Sequence, residues 1–165
     1  MKRSLMLIAI LTLSIVFSAC TQSGFKSEAT AILSQFNSAF EEYVEAKQKL
    51  NEKKYTEASN KALEAKVKFQ TVLNSLEKLR NSAKSDKEKE LVNTWIEATQ
   101  YFIDASDSFS KYVTLRMWFD PMTPIPDPSY YEAKKKVEDA FKDWTDKESK
   151  AISKMDKVTE LLKQI

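Results

Sequence analysis

The sequence predicts an all-α protein, an up-down-up-down antiparallel four-helix bundle of long helices over about 27–52, 54–83, 86–119 and 129–165. Three observations lead there. Apolar residues recur at alternating three- and four-residue steps through most of the chain, the repeat of a left-handed bundle seam. Glycine occurs once in 165 residues, at Gly24, so few positions are free to break a helix. All four prolines, Pro121, Pro124, Pro126 and Pro128, fall in one stretch between two such repeats.

The first repeat runs Ala29, Leu33, Phe36, Phe40, Tyr43 and Leu50, with a weak place at Ala46/Lys47. Asn51 is expected to end it by taking the left-handed conformation that glycine usually supplies. The second repeat runs Tyr55, Ala58, Ala62, Ala65, Phe69, Val72, Leu76, Leu79 and Ala83, and Asn81 is expected to play the same terminal part. Its small alanines leave room for the rings of the first helix across a short turn. Ser85-x-x-Glu88 fits a capping box and starts the third helix, whose seam is Leu91, Trp95, Ala98, Phe102, Ala105, Phe109, Tyr112, Leu115 and Phe119. Asp120-Pro121 stops it. Ser129-x-x-Glu132 fits a second capping box. The fourth seam follows as Tyr130, Ala133, Val137, Ala140, Trp144, Ala151, Met155, Val158, Leu162 and Ile165, weak at Lys147–Glu148. Acid-to-base pairs four residues apart, such as Glu45–Lys49, Glu57–Lys61, Glu64–Lys68 and Asp143–Lys147, are expected along the outer faces. The turn around Asn51–Ala58 faintly resembles that of a tetratricopeptide repeat, but these helices are about twice too long.

Composition excludes much chemistry. With no histidine there is no Ser-His-Asp triad and no imidazole metal ligand. One cysteine excludes an intrachain disulfide and a cysteine-based zinc site, and one glycine excludes a Gly-rich phosphate loop. No enzyme activity, cofactor or metal is expected. The acids Glu97, Asp104 and Asp107 on the third helix, and the bases Lys134-Lys135-Lys136 on the fourth, read as solvated faces. Three arginines and no basic stripe argue against nucleic acid.

Lys2 and Arg3 precede an apolar run from Leu5 to Phe17, shorter than the roughly 20 residues a membrane-spanning helix needs. A basic start, a short apolar run and small residues make a signal peptide. Phe17-Ser18-Ala19-Cys20 resembles the lipobox of prokaryotic membrane lipoproteins, with Phe17 where that family usually carries Leu. The resemblance covers residues 1–20 and implies cleavage after Ala19, lipidation of Cys20, export, and anchoring on the extracytoplasmic side of the cell membrane, or of an outer membrane where the host has one. The expected organisation is a signal peptide over 1–19, a lipidated tether over 20–26 and a bundle domain over 27–165. The formal net charge of +2 comes from Lys2 and Arg3, so the chain beyond residue 19 is neutral.

Trp118, Phe119, Met122, Ile125, Tyr130 and Tyr131 crowd more apolar side chains into the proline-rich segment than one helix face can bury. Up-down topology places them beside Lys53 and Lys54 of the first turn. These eight residues form the candidate partner-binding set, aromatic and basic together. The expected function is non-enzymatic: a lipid-anchored scaffolding component of the cell envelope that binds another envelope protein through this end. The alternative is a sensory bundle that holds a small molecule between its helices.

Overall fold

The computed structural model describes residues 24–122 and 127–165. Ala19, Cys20 and Ile125 lie outside those residues, as does the signal peptide. Four helices follow one another: α1 Gly24–Asn51, α2 Tyr55–Ser82, α3 Asp86–Phe119 and α4 Pro128–Leu162. At 1.5 Å per residue they are about 42 to 52 Å long. Consecutive helices pack backbone against backbone as antiparallel neighbours, which is the four-helix bundle the periodicity predicts. The backbones of α1 and α4 stand further apart, and side chains bridge them.

The ends differ from the expectation in four ways, each with a chemical reason. Helix α1 begins at Gly24 rather than 27, because Phe25 is buried in the core and draws the expected tether residues Gly24–Lys26 into the first turn. Asn51 is helical, and Lys53 takes the left-handed backbone instead, at φ 59°. Lys54 N–H then donates to the Lys49 carbonyl and Lys53 N–H to that of Leu50, both at 2.9 Å, which closes α1 as a Schellman motif. Asn81 lies within α2 without positive φ. Helix α4 is capped by Asp127, whose carboxylate accepts the Ser129 N–H at 2.8 Å, and Pro128 supplies its preset φ at the first helical position. Ser129 is therefore inside the helix and does not cap it. The Ser85–Glu88 capping box forms as predicted: Glu88 N–H donates to Ser85 Oγ, and the Ser85 N–H to the Glu88 carboxylate.

Rings fill the interior. Phe36 of α1, Phe69 of α2 and Phe102 of α3 meet with centroids 5.1–5.5 Å apart. Ala58, Ala62 and Ala65 are fully buried, as the small-against-large pattern requires. Helix α3 buries more than its seam, Thr99, Ser106 and Val113 included, because α2 and α4 cover it from two sides.

Helix α4 departs most from its repeat. Trp144, Ala151, Met155, Val158, Leu161 and Leu162 are buried, yet no residue before Trp144 is. Tyr130, Ala133, Val137 and Ala140 continue the apolar spacing but are only half-covered.

Most of the expected ion pairs along single helices give way to pairs between helices. Lys61 reaches Glu42 at 2.9 Å and Lys68 reaches Glu42 at 2.6 Å, both from α2 to α1. Lys49 meets Glu57 across the same hairpin at 3.2 Å. Asp143–Lys147 keeps the predicted spacing, at 2.8 Å. The acids of α3 are also engaged: Glu97 with Lys154 of α4, Asp107 with Lys66 of α2 and Lys111, and Asp104 with Gln100. Among the described residues no group of acids, cysteines or histidines is placed to hold a metal ion, and no helix is long and apolar enough to cross a membrane.

Candidate functional site

The end of the bundle where α1 turns into α2, and α3 leads to α4, is built around one carboxylate. Tyr112 and Arg116 of α3 and Asp120, the residue that ends it, follow one another at four-residue steps. Arg116 donates from Nε to Asp120 Oδ1 at 2.6 Å, from Nη2 to Oδ2 at 2.8 Å, and from Nη1 to the Tyr112 hydroxyl at 2.9 Å. The Tyr55 hydroxyl, at the first residue of α2, donates to the same carboxylate. Arg116 and then Tyr55 hold the Asp120 carboxyl below its ordinary range, with Lys53 adding a weaker pull. Asp120 thus ties the start of α2 to the end of α3 and brings Lys53 into its field. Lys54 turns back to Glu52 at 2.8 Å. The first turn and the C-terminus of α3 share one end, as up-down topology requires.

An adjoining side of α3 is apolar and open. Leu115, Trp118, Phe119 and Met122 face Ser129, Ala133 and Val137 of α4 across a groove of about 290 Å³, with Glu132 and Lys136 on its α4 rim. Phe119 and Tyr130 pack with centroids 5.3 Å apart, and Tyr130 meets Tyr131 at 5.8 Å. Trp118 remains 70% exposed, Tyr131 61% and Met122 41%. Of the eight candidate residues, Trp118, Phe119 and Met122 line the groove and Tyr130 and Tyr131 stand beside it, while Lys53 and Lys54 belong to the neighbouring turn.

Sequence reasoning missed Glu132, Lys136 and Phe141. Glu132 is expected in a capping box with Ser129, and Lys136 on a solvated face; their place on the rim depends on how α4 is rotated. Phe141 is 46% exposed beside Tyr112, with centroids 5.4 Å apart. Its signal was available, because it sits one position off the α4 seam as an apolar residue with no inward place.

A second polar cluster bridges α1 and α4. Trp144 Nε1 donates to the Tyr43 hydroxyl at 2.6 Å, and Lys47 pairs with Glu148 at 2.6 Å. The Lys47 ammonium lies 5.8 Å from the Tyr43 ring centroid and 5.7 Å from that of Trp144. Burial, followed by the charge of Glu148, pushes the Tyr43 hydroxyl well above its ordinary pKa. This cluster is a filled joint. Further along, the Ser108 hydroxyl donates to Asp143 at 2.7 Å and accepts from Lys147 at 2.8 Å. Ser108 is buried, so this Ser–Lys–Asp arrangement presents no open nucleophile.

No protein-family model matches the chain, nor does any curated protein or solved structure, so its functional reading rests on the groove, its rim charges and the sequence before α1.

Proposed function

We propose that the chain is an exported lipoprotein, anchored through Cys20, that acts without catalysis by docking another component of the cell envelope at the α3/α4 end. The observation that carries this reading is the bare first half of α4. About four turns of helix expose Tyr131 and Phe141 while burying no residue, and Trp118 and Met122 of α3 stand open beside them. Trp and Tyr are among the residues that most often anchor a partner, and Met is enriched at such surfaces. Helix α1 starts at the opposite end, so an anchor at Cys20 leaves the groove about a helix length from the lipid. The touching rings of Phe36, Phe69 and Phe102 occupy the place where a sensory bundle would hold a small molecule, which favours docking over the alternative.

Crosslinking in native membranes tests the reading. Trp118→Ala with Tyr131→Ala should remove the crosslinked species while far-UV circular dichroism stays helical; an unchanged crosslink pattern counts against it. Cys20→Ser should abolish acyl labelling and release the protein from the membrane fraction, and unchanged fractionation would sink the anchor.

A further inference from the structure

The geometry points to a second copy of this chain as the occupant of the groove, docked with its α4 antiparallel to the first. This inference rests on the reading of the α3/α4 end as a docking surface and names the partner.

The open region is half of a bundle. Down to about Trp144, α4 is covered by α3 on one side and buries none of its residues, although its apolar spacing continues. An amphipathic helix draws its stability from covering that face. A second α3/α4 pair would bring the number of helices around this segment to four.

The rim charges choose the partner and its direction. Glu132 and Lys136 are four residues apart in the favourable acid-to-base order, yet among the described residues neither side chain makes a hydrogen bond or an ion pair. Lys134–Glu138, at the same spacing but in the reverse order, is paired at 3.8 Å. An antiparallel two-fold contact centred near residue 134 sets Glu132 of each copy against Lys136 of the other, so the surface complements itself. A parallel contact would set acid against acid and base against base, which is repulsive. The rest of the surface offers no field to oppose the approach: residues 127–142 carry acids and bases in equal number. Antiparallel docking also sends the two bundles away from their shared end, so copies anchored through Cys20 would meet from two facing lipid surfaces and not side by side on one.

Sedimentation of the full chain in detergent micelles, with circular dichroism to confirm folding, tests this. The wild type should be a dimer. Glu132→Lys alone and Lys136→Glu alone should each weaken association by about tenfold or more, because two like-charge meetings replace two attractive ones. The double reversal should restore the dimer, since its pattern again complements itself. A wild-type monomer at every concentration, single reversals that sediment like the wild type, or a double variant no tighter than the singles would each overturn the inference. A monomer whose native crosslink to a different protein still depends on Trp118 overturns the second copy and leaves the docking reading standing. Loss of that dependence removes both.

Discussion

Thr99 is wholly buried on α3, and its hydroxyl finds no partner among the described residues; the indole N–H of Trp95, one turn earlier, is in the same position. Folding strips water from such a group and returns no hydrogen bond, at a cost of order 1–3 kcal/mol. Thr99→Val removes the hydroxyl at nearly constant shape and is expected to stabilise the fold by about 1 kcal/mol, read as a higher midpoint in urea unfolding. Trp95→Phe is a poorer probe, because it also leaves a void in the ring stack. Lys53 is the opposite case, a strained backbone that the structure does reward. Its positive φ lets two backbone N–H groups satisfy orphan carbonyls at the end of α1. Asparagine is the residue statistics favour for that conformation, so Asn51 attracted the sequence expectation. The turn needs two further residues after it, and the left-handed site falls on Lys53.

Helices as units were readable because capping and periodicity are local. Ser85 and Glu88 need nothing but each other, and they cap as expected. At α4 two local solutions competed, and Asp127 with Pro128 won over Ser129 because a carboxylate caps while proline already holds helical φ. What the repeat does not encode is whether a face is covered. Tyr130, Ala133, Val137 and Ala140 carry the same spacing as Ala151, Met155 and Val158, yet the first set is half-open and the second is closed. The weak places at Ala46/Lys47 and Lys147–Glu148 were visible too, but not that Lys47 and Glu148 meet, since 101 residues separate them. Dynamics should follow the same division within α4. In hydrogen exchange at concentrations too low for docking, amides of 129–143 should exchange faster than those of 145–161, in separate cooperative units. Equal protection along α4 would show that the open half is as firmly held as the closed half.

Across the whole molecule, charge pairing within and between helices sets the response to pH. Glu42 lies below its ordinary value of 4.5 because Lys61 and then Lys68 donate to it. Asp107 lies below 3.8 under Lys111 and Lys66, and Asp143 under Lys147 and Ser108. A carboxyl depressed in the folded state binds its proton more readily when unfolded. Its stabilisation is therefore complete above the unfolded pKa and is lost as pH falls through the folded one. With no histidine, no side chain of ordinary pKa titrates between about pH 5 and 8. Thermal midpoints should stay flat over that range and fall steadily below pH 4.5. Glu42→Gln should lower the plateau and soften the acid limb, because it deletes one of the depressed groups. A midpoint that moves between pH 6 and 7.5 would contradict this account.

The joint between α1 and α4 has a kinetic consequence. Neighbouring helices can form their contacts across short turns, whereas Trp144 and Tyr43 are brought together over 101 residues of chain. Closing that loop costs more chain entropy than closing a hairpin, so its contacts are expected to form after the hairpins have. Trp144→Phe, which deletes the donor to Tyr43 and part of the ring packing around it, should therefore accelerate unfolding while leaving the refolding rate nearly unchanged. Stopped-flow measurements of both limbs would read the difference, and an equal slowing of refolding would place the joint in the nucleus. On this account the Tyr43–Trp144 bond governs how long the folded chain lasts rather than how fast it is reached.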